Sequence, residues 1–264
     1  MPTIDIGDAE IYYETHGTGT PLLLVSGLGG VGSYWTPNIR ALAERYQVII
    51  HDHRGTGQSS RSRIRYSVDQ MTADLVALMD HLKVDKAHLV GHSTGGAIGQ
   101  TLAVIQPDRL KSMVIYASWT KNDPYFARTF EARRTLLTSS GPAAYVRSAP
   151  IFLYPDWWIN ENLALLEERE KTTIPACPPA DIVASRIDAI LDFDRTADLP
   201  GITVPSMILC AKDDILTPPY FSRELARLIP GSELVVLDRG GHCASEVDTL
   251  AFNTAVLDFI ARHD

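Results

Sequence analysis

The sequence has few of the features that mark secreted, membrane-bound or disulfide-rich proteins. Only 3 of its 264 residues are cysteines, Cys177, Cys210 and Cys243, and no C-x-x-C pair occurs. An odd number of widely spaced cysteines is typical of a reducing compartment. No apolar run approaches the length of a membrane span, and residues 1–5 lack the basic and apolar segments of a signal peptide. We therefore predict a cytoplasmic protein with no membrane partner.

The sequence also has fewer positively than negatively charged residues, with 24 Lys and Arg against 32 Asp and Glu. The formal net charge is −8, and no run of Lys and Arg offsets it, so we expect no nucleic-acid partner. The hydrophobic content of 45% is ordinary for a globular protein, and 264 residues suffice for one large domain with an insertion or for two small ones. The sequence does not determine the oligomeric state, and a homodimer is one of the possible states.

Short apolar runs alternate with amphipathic stretches along most of the chain. The predicted buried strands cover residues 22–25, 47–51, 87–90, 112–116, 206–210 and 233–237. Helices are predicted at 36–45, from Val68 to Leu82, at 97–103, from about Pro219, and at 250–260, and a β-hairpin at 2–16. Such alternation predicts an α/β fold, with a mostly parallel central sheet covered by helices on both faces.

Two helix starts carry capping signals. Thr36 followed by Pro37 is typical of an N-cap with proline at the first helical position. Ser67 with Gln70 three residues later is a capping box.

The alternation stops between residues 120 and 198. Helical patches occur there at 126–137, 143–147, 161–171 and 181–193, without a convincing buried strand. We predict a helical cap at 120–198 inserted into a core formed by 1–119 and 199–264. Three aromatic side chains are candidates for the substrate pocket: Trp119, Tyr154 and Trp158. Arg134 and Arg147 are weaker candidates for binding a substrate carboxylate.

A Gly91-x-Ser93-x-Gly95 motif lies between a predicted strand and a predicted helix. This pattern is the nucleophile elbow, a tight turn that presents a serine hydroxyl for attack. Side chains at positions 91 and 95 would collide in such a turn, and glycine has none. The turn also places the Thr94 amide at a helix N-terminus, where an oxyanion could be stabilised.

A nucleophilic serine needs a histidine base and a carboxylate that orients the base. Asp213 and Asp214 follow the predicted strand at 206–210, and His242 follows the strand at 233–237. The order Ser, Asp, His is the one used with this type of elbow. We predict a triad of Ser93, Asp214 and His242, with Asp213 as the alternative carboxylate. Leu28, in the glycine-rich loop after the first buried strand, is the second candidate amide for an oxyanion hole.

With these motifs, the chain resembles the α/β-hydrolase superfamily over nearly its whole length. The matching motifs are Ser26-Gly27-Leu28-Gly29, Asp52-x-Arg54-Gly55-x-Gly57-x-Ser59, Gly91-His92-Ser93-Thr94-Gly95-Gly96, Asp214-x-x-x-Pro218 and Gly241-His242. Superfamily members often have histidine before the first glycine of the loop, where this chain has Ser26. That departure leaves the polarity of the pocket floor open and the role of the backbone amide intact.

Three stretches resemble the aminoacrylate hydrolase-like proteins of the Rut pyrimidine-degradation pathway, which are similar to 3-oxoadipate enol-lactonases. These stretches are 26–35, 152–157 and 240–243. The resemblance implies a serine hydrolase that acts on a small ester, lactone, carbamate or amide-like substrate through an acyl-enzyme. An enol-lactonase or a hydrolase of C–C bonds is the alternative. No cofactor and no metal are expected.

Three other interpretations compete. Gly27-x-Gly29-x-x-Gly32 matches a dinucleotide-binding fingerprint, with Asp52 after a later strand, and would indicate a nicotinamide-dependent oxidoreductase. Its predicted helix, however, begins only after the last glycine. His51 and His53 could be metal ligands, but no second ligand cluster is evident. A non-catalytic receptor or scaffold of the same fold would usually lack part of the triad.

Overall fold

The computed structural model describes residues 2–264, which form a single eight-stranded sheet with helices on both faces. The strands are β1 (Thr3–Asp5), β2 (Glu10–His16), β3 (Pro21–Val25), β4 (Gln47–His51), β5 (Ala87–His92), β6 (Leu110–Tyr116), β7 (Ser206–Ala211) and β8 (Glu233–Leu237). Their order in the sheet is β1-β2-β4-β3-β5-β6-β7-β8. The pairs β1–β2 and β2–β4 are antiparallel and all other pairs are parallel, so the predicted α/β fold is confirmed.

Ten α-helices accompany the sheet within residues 2–264. They are α1 (Thr36–Ala43), α2 (Val68–His81), α3 (Thr94–Ile105), α4 (Pro124–Leu153), α5 (Asp156–Glu161), α6 (Leu163–Ala176), α7 (Ala180–Leu191), α8 (Pro219–Leu228), α9 (Ala244–Val247) and α10 (Thr249–Ile260). None of these ten is both long enough and apolar enough to cross a membrane.

The strands are apolar on both faces because both faces are covered. In β3, Leu22 and Leu24 belong to a core that includes residues of α1 and α10. Leu23 and Val25 belong to a larger core with residues of α2, α3 and α8. Successive strand residues point to opposite faces, so a continuous apolar run is what a sheet buried on both sides requires.

The parallel strands determine where the loops of interest meet. β3, β5, β7 and β8 run parallel to one another through the sheet. The loop of Gly27 and Leu28 follows β3, Ser93 follows β5, Asp214 follows β7 and His242 follows β8. Ligands of open α/β sheets bind at the carboxyl ends of the strands, and all four loops lie at that edge.

Four helices, α4 to α7, lie between β6 and β7 and contain the helical patches predicted there. α4 is interrupted at Gly141, whose φ of 84° and ψ of 178° are followed by Pro142. α5 was not anticipated, because Asp156–Glu161 is too short to show a helical period. The division of the chain into a core and a cap stays a prediction.

The two capping signals have different outcomes. Half of the capping box is present: Ser67 Oγ accepts a hydrogen bond from the Gln70 amide at 3.0 Å, but Oε1 of Gln70 has no hydrogen-bond partner and does not return to Ser67. The predicted Thr36 cap is wrong: Thr36 is the first residue of α1, and its hydroxyl donates to the Ser33 carbonyl at 2.7 Å. A 3₁₀ turn at Gly32–Trp35 leads directly into the helix and leaves Thr36 no N-cap position.

Candidate active site

Ser93 lies at a sharp turn between β5 and α3 in a rare backbone conformation, with φ 54° and ψ −113°. Only glycine fits the neighbouring positions. A methyl group on Gly91 would overlap the Gly95 carbonyl, and one on Gly95 would overlap the Val25 carbonyl. Strain of this kind is typical of functional sites. The predicted elbow geometry is therefore present.

Two backbone amides lie near Ser93. Thr94 is the first residue of α3, where helical amides have no partner within the helix. Gly27 packs against the serine: a Cβ built there would lie 3.1 Å from Ser93 Cβ. Leu28 is the next residue, and its carbonyl accepts a hydrogen bond from Arg186 at 3.0 Å. Leu28 therefore lies in a loop packed against Ser93, and Thr94 directly follows Ser93. Their role as an oxyanion hole stays a prediction.

Asp214 and His242 form a buried pair. Nδ1 of His242 lies 2.9 Å from Oδ2 of Asp214, and the two side chains are 1% and 0% exposed. Asp214 is fixed by the Leu216 and Thr217 amides at 2.8 and 3.0 Å and by the Thr217 hydroxyl at 2.8 Å. With Nδ1 donating to the carboxylate, Nε2 of His242 is left as a proton acceptor.

Asp213 has a different place. Its carboxylate accepts hydrogen bonds from the Gly241 and Gly240 amides at 2.8 and 3.2 Å. It therefore fixes the loop that carries His242 and does not contact the imidazole. Of the two aspartates that the sequence left in competition, Asp214 is the one paired with His242.

Two aromatic side chains hold the His242 backbone. The Tyr116 hydroxyl donates to the His242 carbonyl at 2.8 Å, and Nε2 of His92 lies 3.0 Å from the same oxygen. Burial lowers the pKa of His92 well below its ordinary value, so its ring stays neutral at physiological pH. These two hydrogen bonds fix the backbone of His242 and so help to position its imidazole ring.

Ser93 and His242 line one cavity of about 250 Å³ beneath α4 and α6. Its wall also includes Leu28, Tyr154 and Arg133. The other lining residues are mostly small or apolar and include no Asp or Glu within residues 2–264. The size and the apolar character suit a small organic substrate.

The structure corrects two of the three predicted pocket residues. Tyr154 lines the cavity, whereas Trp119 and Trp158 do not. Trp119 is fully buried and packs on Phe126 at 4.9 Å between ring centroids. Trp158 stacks behind Tyr154 at 4.2 Å. Both tryptophans support the wall without reaching the cavity.

The predicted arginines also lie elsewhere. Arg134 pairs with Asp188, and Arg147 pairs with Glu170 at 3.2 Å on the surface. Sequence reasoning missed Arg133, which does line the cavity. A signal existed: Arg133 lies three residues after Phe130 in α4, on the same face of the helix as that buried ring.

The histidines considered as metal ligands form a buried stack. The rings of His51 and His53 are 5.0 Å apart, and Arg186 lies 3.2 Å from Nδ1 of His53. Burial lowers the pKa of His51 to about 4 and that of His53 well below its ordinary value. No group of three or more His, Cys, Asp or Glu side chains with metal-binding geometry occurs between residues 2 and 264.

The glycine-rich loop is not arranged for a dinucleotide. Asp52 accepts hydrogen bonds from the Gly32 and Gln58 amides, both at 2.8 Å, so its carboxylate fixes the loop. Gly27 packs against Ser93, and α1 begins only at Thr36. The loop therefore belongs to the site of Ser93.

The fold and site define an α/β hydrolase, and comparisons with known proteins agree. The family model for the alpha/beta hydrolase fold matches residues 20–144. A protein from Azorhizobium caulinodans, provisionally named as the carbamate hydrolase RutD, is 43% identical over 264 residues, 100% of both chains. A protein of the same name from Caulobacter sp. strain K31 is 41% identical and covers 95% of this chain and 96% of its own. The chain belongs to the α/β-hydrolase family that includes these relatives, and it is a hydrolase.

A solved structure extends the comparison. The enol-lactonase from Burkholderia xenovorans LB400 superposes with a TM-score of 0.90 at 26% identity, covering 98% of this chain and all of the other. The resemblance predicted from the sequence, to Rut-pathway hydrolases and enol-lactonases, is confirmed.

Proposed function

We propose that the chain hydrolyses a small carbamate or amide through an acyl-enzyme. The observation that carries this proposal is that Ser93 and the Asp214-paired His242 line one cavity. The provisional name of the RutD relatives supports the choice of bond.

In the proposed mechanism, Ser93 Oγ attacks the substrate carbonyl while Nε2 of His242 takes its proton. Asp214 holds the imidazole in the required tautomer and stabilises the imidazolium. The amides of Leu28 and Thr94 stabilise the tetrahedral oxyanion. His242 then returns the proton to the leaving group, and water attacks the acyl-enzyme by the same route.

The mechanism needs a contact between the Ser93 hydroxyl and Nε2 of His242. Within residues 2–264, Ser93 and His242 line the same cavity without a hydrogen bond between their side chains. Catalytic hydrogen bonds often tighten only in the substrate complex. We therefore expect closure of this contact on binding.

A second candidate is hydrolysis of a small lactone. It is favoured by the likeness to the Burkholderia enol-lactonase over nearly the whole chain. The same groups would act, with the ring oxygen as leaving group, so the two candidates differ only in the substrate that the cavity accepts.

The test combines labelling with a substrate panel. A fluorophosphonate should place one adduct on Ser93, located by mass spectrometry. Ser93→Ala should abolish hydrolysis of a p-nitrophenyl ester and of the best member of a panel of carbamates, enamine amides, lactones and esters. Ser222→Ala is the matched control, because Ser222 is fully buried but does not line the cavity. Undiminished turnover by Ser93→Ala would contradict the mechanism, and a preference for lactones would favour the second candidate.

A further inference from the structure

Arg133 is the one Lys or Arg side chain among the described residues that line the cavity of Ser93. The same wall holds no Asp or Glu. His92 also lines it, but burial keeps that ring neutral. The cavity therefore presents a single fixed positive charge to whatever it binds.

The guanidinium of Arg133 has almost no polar partner. The side chain is 6% exposed, and its Nε has no hydrogen-bond partner. Its one hydrogen bond joins Nη2 to the Tyr145 hydroxyl at 3.5 Å, the long end of the range. No ion pair to Arg133 occurs within residues 2–264. A guanidinium has five N–H donors, so most of its capacity is unused.

Aromatic rings surround the cation. Its central carbon lies 5.3 Å from the Phe130 ring centroid, and 5.6 Å from those of Tyr145 and Phe152. Such rings attract a cation but accept no directed hydrogen bond comparable to a carboxylate. They also hold the planar group in one place, which favours bidentate recognition of an anion.

Arg186, a second deeply buried arginine, uses its guanidinium differently. It is 1% exposed, and it donates to the carbonyls of Arg54 and Leu28 at 2.9 and 3.0 Å. The guanidinium of Arg186 therefore holds the backbone of two loops in place. Arg133 makes no comparable contact, and burying a charge without a partner is costly.

We propose that Arg133 binds a carboxylate of the substrate, so that the site is specific for small acyl compounds that carry a carboxylate besides the scissile carbonyl. This assignment rests on the proposed function, because it places the carboxylate subsite in the cavity of Ser93. The cavity of about 250 Å³ has room for a short acyl chain. The aromatic rings of Phe130 and Tyr145 then exclude water from the ion pair.

The kinetic test uses two esters of similar length that differ in their end group, a methyl in p-nitrophenyl butyrate and a carboxylate in mono-p-nitrophenyl succinate. Arg133→Met should lower kcat/KM for the succinyl ester about 10- to 100-fold, the range for losing a hydrogen bond to a charged group. Hydrolysis of the butyryl ester should change less than about threefold by the same reasoning. Arg133→Lys keeps the charge and should retain part of the preference. Arg134→Met, adjacent in sequence but paired with Asp188, is the matched control.

A binding test needs no turnover. Glutarate, titrated calorimetrically into the wild type, should bind about 10-fold or more tightly than into Arg133→Met, with Arg134→Met like the wild type. Melting temperatures of all variants are recorded, and Arg133→Gln replaces Arg133→Met if the latter fails to fold.

The outcomes separate the two proposals. Equal losses on both esters, or no loss on either together with unchanged glutarate binding, would overturn the carboxylate subsite. Hydrolysis that survives Ser93→Ala would overturn the proposed mechanism, while the glutarate titration would still decide the role of Arg133.

Discussion

The guanidinium of Arg186, on α7, donates a hydrogen bond to the carbonyl oxygen of Leu28 at 3.0 Å. The same side chain reaches the Arg54 carbonyl, so it joins two loops at the edge of the sheet. Burial lowers its pKa to about 10, which leaves it protonated at neutral pH. Arg186 thus fixes the carbonyl of Leu28, whose own amide we propose as a donor of the oxyanion hole.

Arg186→Met should therefore impair the chemical step more than substrate binding. We expect kcat to fall about 10- to 100-fold with little change in KM, because misplacing an oxyanion donor raises the barrier. Unfolding should also become easier by about 1–3 kcal/mol, since two carbonyls lose their donor. Steady-state kinetics and the rate of fluorophosphonate labelling measure the first effect, and urea unfolding measures the second.

The control for this variant is Arg65→Met, because Arg65 is exposed and paired with Asp192 at the surface. Arg186→Lys should recover part of kcat if positioning is what matters. A loss of stability with unchanged kcat would show that Arg186 only supports the fold.

The two neighbouring aspartates should behave differently. Asp214→Asn should lower kcat about 10³- to 10⁴-fold with a small effect on folding, because the histidine then loses its required tautomer. Asp213→Asn should lower the melting temperature and reduce kcat far less, because it weakens only the hydrogen bonds to Gly240 and Gly241. Kinetics and thermal unfolding of both variants provide the comparison, and similar kcat values would contradict the assignment of Asp214.

Gly91→Ala should destabilise the elbow. The added methyl group would overlap the Gly95 carbonyl, and overpacking of this kind costs about 1–3 kcal/mol. Gly201→Ala is a suitable control, because the added group meets no atom within 4 Å. Urea unfolding of the two variants measures the difference, and equal midpoints would show that the turn adapts.

Acid should destabilise the protein through the buried His51. Its pKa is about 4 in the folded state, below the ordinary 6.5 of an unfolded chain, so the unfolded state binds more protons as the pH falls. The stability is present above pH 6.5 and is lost between there and about pH 4. By about pH 5 the loss should reach roughly 2 kcal/mol.

The variant His51→Phe isolates this contribution, because it keeps a ring stacked on His53 and removes the proton site. The free energy of unfolding, measured from about pH 7.5 to about pH 5, should fall less steeply in the variant than in the wild type. Parallel slopes would show that His51 does not stay neutral in the folded protein.

The sheet and the sharp turn at Ser93 were predictable because their signals are local. A buried strand shows as an apolar run, and the elbow shows as small residues around Ser93. The choice between Asp213 and Asp214 depended on spacing alone. The structure explains it by the backbone amides that each carboxylate accepts.

The cavity wall was harder to predict because it depends on how α4 to α7 pack on one another. Trp119 is as aromatic as Tyr154, yet one packs inside the core and the other faces the cavity. Arg133 and Arg134 are adjacent, and only their position around the helix distinguishes a cavity residue from a surface ion pair. That position was readable from the apolar face of α4, whereas the break at Gly141 was not.

The wall of the cavity combines loops at the strand ends with helical residues from the segment between β6 and β7. Ser93 and His242 come from turns at strand ends, and Phe130, Arg133 and Tyr145 come from the single helical segment α4. Substitutions in α4 can therefore alter which molecule is accepted without moving the reactive groups. The substrate specificity of such an enzyme can therefore change during evolution while its catalytic chemistry is retained. We expect the sequence differences that change specificity to concentrate in α4.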